Sequence, residues 1–300
     1  MAACGLFLLN KDQGLTSQTA VNRVKRLFGE AKAGHTGTLD PMAEGVLPIL
    51  LGRAVKASEF LLHSDKHYEA VLRLGLTSDT EDIWGELTPT NAPLPDEETV
   101  LSLLPSFTGE LLQTPPMYSA LKVGGQKLCD LARKGVEIER EARPITVYSL
   151  MGERLTDTDY RLTVRCSGGT YIRTLCADVG HALGTGGVMA RLIRASAAGF
   201  PIERAVTLAD LEAMTEEERQ KTLIPLESLF DTFPKVTLPP FFARLARSGA
   251  PIYQKKIGAA FPVGERVAFY DAEGFFGLAE SATDADGAPV LRSLRLFFPA

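Results

Sequence analysis

The sequence predicts an α+β fold organised around an antiparallel sheet, with a smaller β-rich unit toward the C-terminal end. Three observations carry this expectation. Strand-like and helix-like segments interleave without a repeating βαβ period and without a glycine-rich nucleotide fingerprint, which argues against a doubly wound parallel sheet. From Tyr68 onward the residues alternate, with Tyr68, Ala70, Leu72 and Leu74 on one face and Glu69, Val71 and Arg73 on the other, as a half-buried strand requires. Beyond about residue 235, the short apolar runs 267–270 and 275–278 flank Asp271-Ala272-Glu273-Gly274, the layout of a hairpin in a compact barrel-like unit.

At 300 residues the chain can build one sizeable core and a satellite. Its opening apolar run lacks a basic leader and is ended by Asn10 and Lys11, so it is expected to be a first strand and not a targeting segment. Thr16 or Ser17 caps a helix whose Ala20, Val21, Val24, Leu27 and Phe28 follow helical spacing, and Gly29 ends it. After the proline-rich residues 89–95, a short helix from Asp96 presents Val100, Leu103 and Leu104 before Pro105 stops it. Residues 145–150 and 161–166 are expected to pair as antiparallel strands, the second with Leu162, Val164 and Cys166 alternating against Arg161, Thr163 and Arg165. Ser167-Gly168-Gly169-Thr170 then turns the chain into Tyr171-Ile172-Arg173 and a helix carrying Leu175, Val179 and Leu183 that ends at Gly184. Thr207 with Asp210 opens a further helix through the acidic cluster 216–218 toward Pro225. A domain boundary is placed there, giving units 1–225 and 235–300.

The formal charge is −5 and the isoelectric point near 5.5, which is unusual for a nucleic-acid-binding chain. Distribution matters more than the sum. Residues 79–98 hold seven acids and no Lys or Arg, and are expected to form an acidic surface loop. Residues 161–194 carry five arginines against Asp178 alone, and residues 122–143 carry six Lys or Arg against four acids, so a polyanion can bind there. No apolar run approaches the roughly 20 residues of a bilayer span, which argues against a membrane protein. Four cysteines without C-x-x-C spacing imply a reduced, cytoplasmic protein. His63 and His67 stand four residues apart, but Ser-Asp-Lys between them lacks the glutamate of H-E-x-x-H, and no metal site is expected.

One stretch points to chemistry. Gly34-His35-Thr36-Gly37-Thr38-Leu39-Asp40-Pro41-Met42-Ala43-Glu44-Gly45 holds a single aspartate in a glycine-bracketed loop, and Pro41 pushes Asp40 out of helical geometry. An isolated Asp-Pro pair commonly only stabilises a turn. The whole run GHTGTLDPMAEGVLPILLGRA, however, resembles the aspartate motif of the tRNA pseudouridine synthase B (TruB) family. Further segments resemble the family in the same order: Lys66-His67-Tyr68-Glu69-Ala70, then Gln113-Thr114-Pro115-Pro116-Met117-Tyr118-Ser119-Ala120-Leu121-Lys122, then Arg143-Pro144-Ile145-Thr146-Val147-Tyr148, then Cys166 through Leu175. Together they span roughly residues 5 to 210.

The resemblance implies a mixed, mainly antiparallel pseudouridine-synthase sheet flanked by helices, with a small C-terminal β-rich PUA-like RNA-binding domain. It implies isomerisation of uridine 55 in the T-loop of elongator tRNA, with tRNA as partner, no obligate protein partner and no cofactor. Asp40 matches the family's catalytic aspartate, which either attacks the sugar or removes a sugar proton. Arg173 matches the arginine that pairs with it and would orient it and compensate its charge. Tyr68 matches the tyrosine that stacks on the flipped-out base, and Leu192 the aliphatic residue beneath the pocket. His35 matches a histidine that fills the gap left by the base. Residues of about 115–150, with Lys122, Lys127 and Arg143, resemble a mobile insertion that clamps the tRNA arm. Two rival readings remain at this stage: a tRNA-binding or folding factor without catalysis, and a glycosidase with Glu44 as a second carboxylate.

Overall fold

The computed structural model describes residues 3–62 and 64–297. Its main sheet runs Val206–Thr207, Gly5–Lys11, Glu44–Leu51, Gly187–Ala197, Lys66–Leu74, Asp159–Cys166, Arg143–Arg154, Gly109–Gln113, with three short strands attached beside this path. Neighbours are antiparallel except at two places, where Gly5–Lys11 meets Val206–Thr207 and where Glu44 and Gly45 lie beside Ile193 and Arg194. The sheet is therefore mixed and mainly antiparallel, and the fold is α+β.

Burial follows the residue pattern. In Lys66–Leu74 the expected inward set Tyr68, Ala70, Leu72 and Leu74 is buried, and in Asp159–Cys166 so are Leu162, Val164 and Cys166. These strands cover a core with the helices Ser17–Leu27 and Ile172–Ala182 on one side only. Gly5–Lys11 is buried on both faces: Phe7 and Leu9 join that core, whereas Leu6 and Leu8 enter a second cluster on the opposite side. Its continuous apolar run reflects this double burial.

The second cluster joins the main sheet to a five-stranded sheet ordered Lys235–Thr237, Arg266–Asp271, Gly274–Thr283, Pro289–Leu296, Ile252–Tyr253. The expected hairpin is present, with Gly274 at φ 114° closing its turn. Phe230, in the turn Leu226–Phe230, sits between rings from both sides, 5.5 Å from Phe60, 5.7 Å from Phe275 and 5.8 Å from Phe297. Arg295 and Glu59 add an ion pair at 2.6 Å across the same contact. Residues 226–234 are thus packed chain and not an exposed linker.

Three expectations are corrected. The helix from Thr207 toward Pro225 is two helices, Leu208–Ala213 and Glu216–Lys221, because Met214 is extended and Thr215 forms its own capping box with Glu218. The excursion expected at about 115–150 contains the hairpin of Lys122–Val123 with Gln126–Lys127 and the helix Leu128–Ala132, but residues 143–150 belong to the sheet, with Ile145, Val147 and Leu150 buried. The acidic stretch 79–98 is only partly surface, since Asp82 is buried. His63 lies outside the described residues, so its spacing with His67 has no structural reading; among the described residues no cluster of three or more His, Cys, Asp or Glu could hold a metal.

Candidate active site

The Asp40 loop is held by its own backbone carbonyls. Six consecutive ones accept hydrogen bonds: Gly37 and Thr38 from Arg194, Leu39 from the Ser17 hydroxyl, Asp40 from the amide of Ala43, Pro41 from the amide of Gly14 and from Lys11, and Met42 from Gln13. Ser17 also accepts from the Leu39 amide at 2.8 Å, so one hydroxyl clamps both groups of that residue. The side chains doing this lie on Gly5–Lys11, the first helix and its connection, and Gly187–Ala197. A loop so fully bonded presents its carboxylate in a preorganised position.

Gly45 makes the arrangement possible. Its φ is 106°, and a Cβ there would stand 2.4 Å from the carbonyl oxygen and 2.8 Å from the amide nitrogen of Arg194. Only glycine lets the strand leaving the loop lie beside the strand that carries Arg194. Arg194 is 1 % exposed, and its Nε donates to the Val46 carbonyl at 2.7 Å.

Asp40 is 31 % exposed at its side chain and accepts from Arg173 Nε at 2.9 Å. Arg173 is 4 % exposed and sits in the first turn of Ile172–Ala182. Its Nη1 donates to the Thr80 carbonyl at 2.9 Å and its Nη2 to the Tyr118 carbonyl at 2.8 Å, while Asp82 Oδ2 stands 3.8 Å from Nε. Asp82 is itself fixed by Thr80 Oγ1 at 2.8 Å and the Trp84 amide at 2.9 Å. Gln113 holds the start of the helix, donating to the Tyr171 carbonyl at 3.0 Å and accepting from its amide at 2.8 Å. Thr174 donates to Glu81 at 2.6 Å, and burial pushes the Glu81 carboxyl up. Part of the acidic stretch is therefore the cage of a buried arginine.

Asp40 and Arg173 line a cleft of about 770 Å³ whose wall also includes Tyr68, Leu192, Arg143, Lys66, Tyr171 and Arg194. Of the residues singled out in the sequence, the structure brings together Asp40, Tyr68, Arg173, Leu192 and Arg143. Burial raises the Tyr68 phenol above its ordinary value, so it stays a neutral ring in the pocket. His35, Lys122 and Lys127 are not in the cleft wall. His35 ends the short strand that leads into the loop, where its Nδ1 accepts from the Gly37 amide at 3.3 Å; burial and then Arg194 lower its pKa from 6.5. Lys122 and Lys127 are exposed on the hairpin, whose approach, Ala120 and Leu121, does reach the wall. Glu44 turns to Arg191 at 3.2 Å and does not line the cleft, and among the described residues Asp40 is the one carboxylate in the cleft wall, so the Asp40–Glu44 pair that a glycosidase would require is not formed.

Arg194, Lys66 and Asp82 were not singled out as site residues from sequence. The signal for Arg194 was the alternation of its strand, since it shares the inward face with Leu192. Lys66 carried the same signal, two residues before Tyr68.

Comparison with known proteins gives consistent findings. TruB family pseudouridylate synthase (N-terminal domain) matches residues 25–172, and the tRNA pseudouridylate synthase B C-terminal domain matches residues 173–231. The tRNA pseudouridine synthase B of Aromatoleum aromaticum is 42% identical over 292 residues, covering 97% of this chain and 92% of that one. The protein of the same name from Cronobacter sakazakii is 40% identical over 305 residues, covering 98% and 96%. Among solved structures, a chain of a Cbf5–Nop10–Gar1 complex superposes with TM-score 0.74 at 26% identity, covering 99% of this chain and 86% of that one. A chain of an H/ACA RNP bound to a substrate RNA containing 2′-deoxyuridine gives 0.72 at 25%, covering 98% and 85%.

Proposed function

The chain belongs to the TruB family of pseudouridylate synthases, and from that membership we propose that it isomerises uridine 55 in the T-loop of elongator tRNAs to pseudouridine. One observation supports this above the others: Asp40, paired with a caged Arg173, opens on a cleft lined by Tyr68 and Leu192. A uridine stacked in the T-loop has to leave its stack, at a cost of roughly a few kcal/mol. The Tyr68 ring and the Leu192 side chain offer surfaces that offset it.

Asp40 supplies the carboxylate that both attack at C1′ and removal of a ribose proton require. The bond from C1′ to N1 breaks with its electron pair leaving on the uracil, the ring turns, and C5 bonds to C1′. The proton then leaves C5 and N1 gains one, so product and substrate are isomers and no oxidant, reductant or group donor is consumed. Arg173 holds Asp40 in place while the bound base shuts out water, and His35 braces the start of the loop by accepting from the Gly37 amide. Lys122 and Lys127 on the exposed hairpin and Arg143 in the cleft wall meet phosphates of the T-arm. Residues 1–225 act as the catalytic unit and residues 235–300 as a second, RNA-facing unit whose sequence is not basic. Among the described residues no helix is long and apolar enough to cross a membrane, and action on tRNA would call for a cytoplasmic enzyme. The test is to treat unmodified tRNA with purified protein and map pseudouridine: product at position 55 without free uracil supports the reading, and its absence sinks it.

A further inference from the structure

We infer that Lys66 is a substrate-binding residue whose ammonium takes an oxygen of a phosphodiester flanking the extruded uridine. This rests on the cleft being the uridine pocket. Lys66 is 6 % exposed and lines the cleft. It precedes Tyr68 by two positions on one strand, so both side chains rise from the same face of the sheet. Its Nζ donates to the Ser64 carbonyl at 2.9 Å and the Leu62 carbonyl at 3.3 Å. An ammonium carries three protons, which leaves one for a ligand.

Buried charges are normally paired, yet neither Lys66 nor its neighbour Arg194 makes an ion pair among the described residues. Arg194 spends its nitrogens on the carbonyls of Val46, Thr38 and Gly37. Asp65, beside Lys66 in the chain, instead meets Arg165 at 3.6 Å and Tyr148 at 3.0 Å. Cys166, on the neighbouring strand, has its thiol pushed up to about 11 by burial and stays uncharged. Burial and then Arg194 lower Lys66 to about 8, the energetic signature of a desolvated cation lacking a counter-charge. Lys66 and Arg194 are thus two buried cations lining the cleft without an ion-pair partner among the described residues, since the cleft's own carboxylate, Asp40, is paired with Arg173, and a polyanionic substrate supplies the missing anion.

The experiment crosses protein and RNA changes. Wild type and Lys66→Met are assayed in single turnover on tRNA bearing either natural phosphates or neutral methylphosphonates beside uridine 55. Each change alone should slow isomerisation by about tenfold or more, as loss of a charge-assisted contact would, and the two together should cost no more than either one. Lys66→Arg keeps the charge and should keep the sensitivity to methylphosphonate, which also covers the case in which Lys66→Met does not fold. Additive losses, or a Lys66→Met enzyme as fast as wild type, overturn the contact. Failure of wild type on natural tRNA would instead overturn the reading of the cleft itself.

Discussion

Arg173 donates its Nε proton to Asp40 at 2.9 Å across 133 positions of sequence, and its other two nitrogens are committed to the carbonyls of Thr80 and Tyr118. The guanidinium cannot follow a moving carboxylate without breaking those bonds. Asp40 is therefore held in one place.

Replacing Asp40 by Asn keeps size and polarity and removes the charge. Pseudouridine formation in single turnover should disappear while tRNA binding stays within about twofold. Asp40→Glu should be nearly as inactive, because a shift of about 1 Å costs on the order of a hundredfold. Wild-type product formation by Asp40→Asn would remove this residue from the chemistry.

Arg173→Lys should also fail despite conserving charge. A compact ammonium cannot serve Asp40, Thr80 and Tyr118 in three directions at once. The expected result is a rate loss of about a hundredfold and a destabilisation of roughly 3 kcal/mol from the broken buried pair, read from single-turnover kinetics and urea unfolding. Near-wild-type values of both would show that the fork geometry is dispensable.

Gly45→Ala places a methyl group against the backbone of Arg194 at a φ that side-chained residues avoid. A loss of roughly 3 kcal/mol in unfolding free energy is expected. If the variant unfolds at the wild-type urea midpoint, the close strand approach is not as tight as the geometry says.

His35 makes a pH prediction. Its folded pKa lies below the usual 6.5, so the unfolded chain binds the extra proton first as pH falls. The stability it contributes is present above about 6.5 and is lost as pH drops from there toward the lowered value. Protonation of Nδ1 also ends its acceptance from Gly37. His35→Asn should flatten the stability profile below about pH 6.5 relative to wild type, measured by unfolding at each pH. Parallel profiles would refute the assignment.

Lys122 and Lys127 are exposed and lie outside the cleft wall. Their double replacement by Ala should weaken tRNA binding and reduce the salt slope by about 2, with the bound-state rate of isomerisation largely kept. An unchanged slope would take the hairpin off the phosphate-binding surface.

Much of the architecture was legible because it rests on local periodicity and capping. The alternation from Tyr68, the capped helix of Ser17–Leu27 and the hairpin around Gly274 each follow from patterns within ten or so residues. The single helix expected after Thr207 failed for an equally local reason, since Thr215 and Glu218 form a second cap that the acidic run concealed.

The sequence by itself determined the fold class, the strand faces, the family membership through its motifs, and the choice of Asp40 and Arg173. Fold class and strand faces are legible because backbone angles and side-chain spacing are short-range properties, whereas the family and the choice of Asp40 and Arg173, 133 positions apart, came from the resemblance of the motifs. Tertiary structure alone decided that Arg194 and Lys66 are buried in the cleft wall, that Asp82 belongs to the cage of Arg173, and that His35 bonds the Gly37 amide and does not line the cleft. Those outcomes depend on which strands become neighbours, and that is settled by burial of both faces of Gly5–Lys11 and by the one glycine, Gly45, that lets Glu44–Leu51 lie against Gly187–Ala197. A charge reads the same in sequence whether water or protein surrounds it; only the packed sheet removes the water.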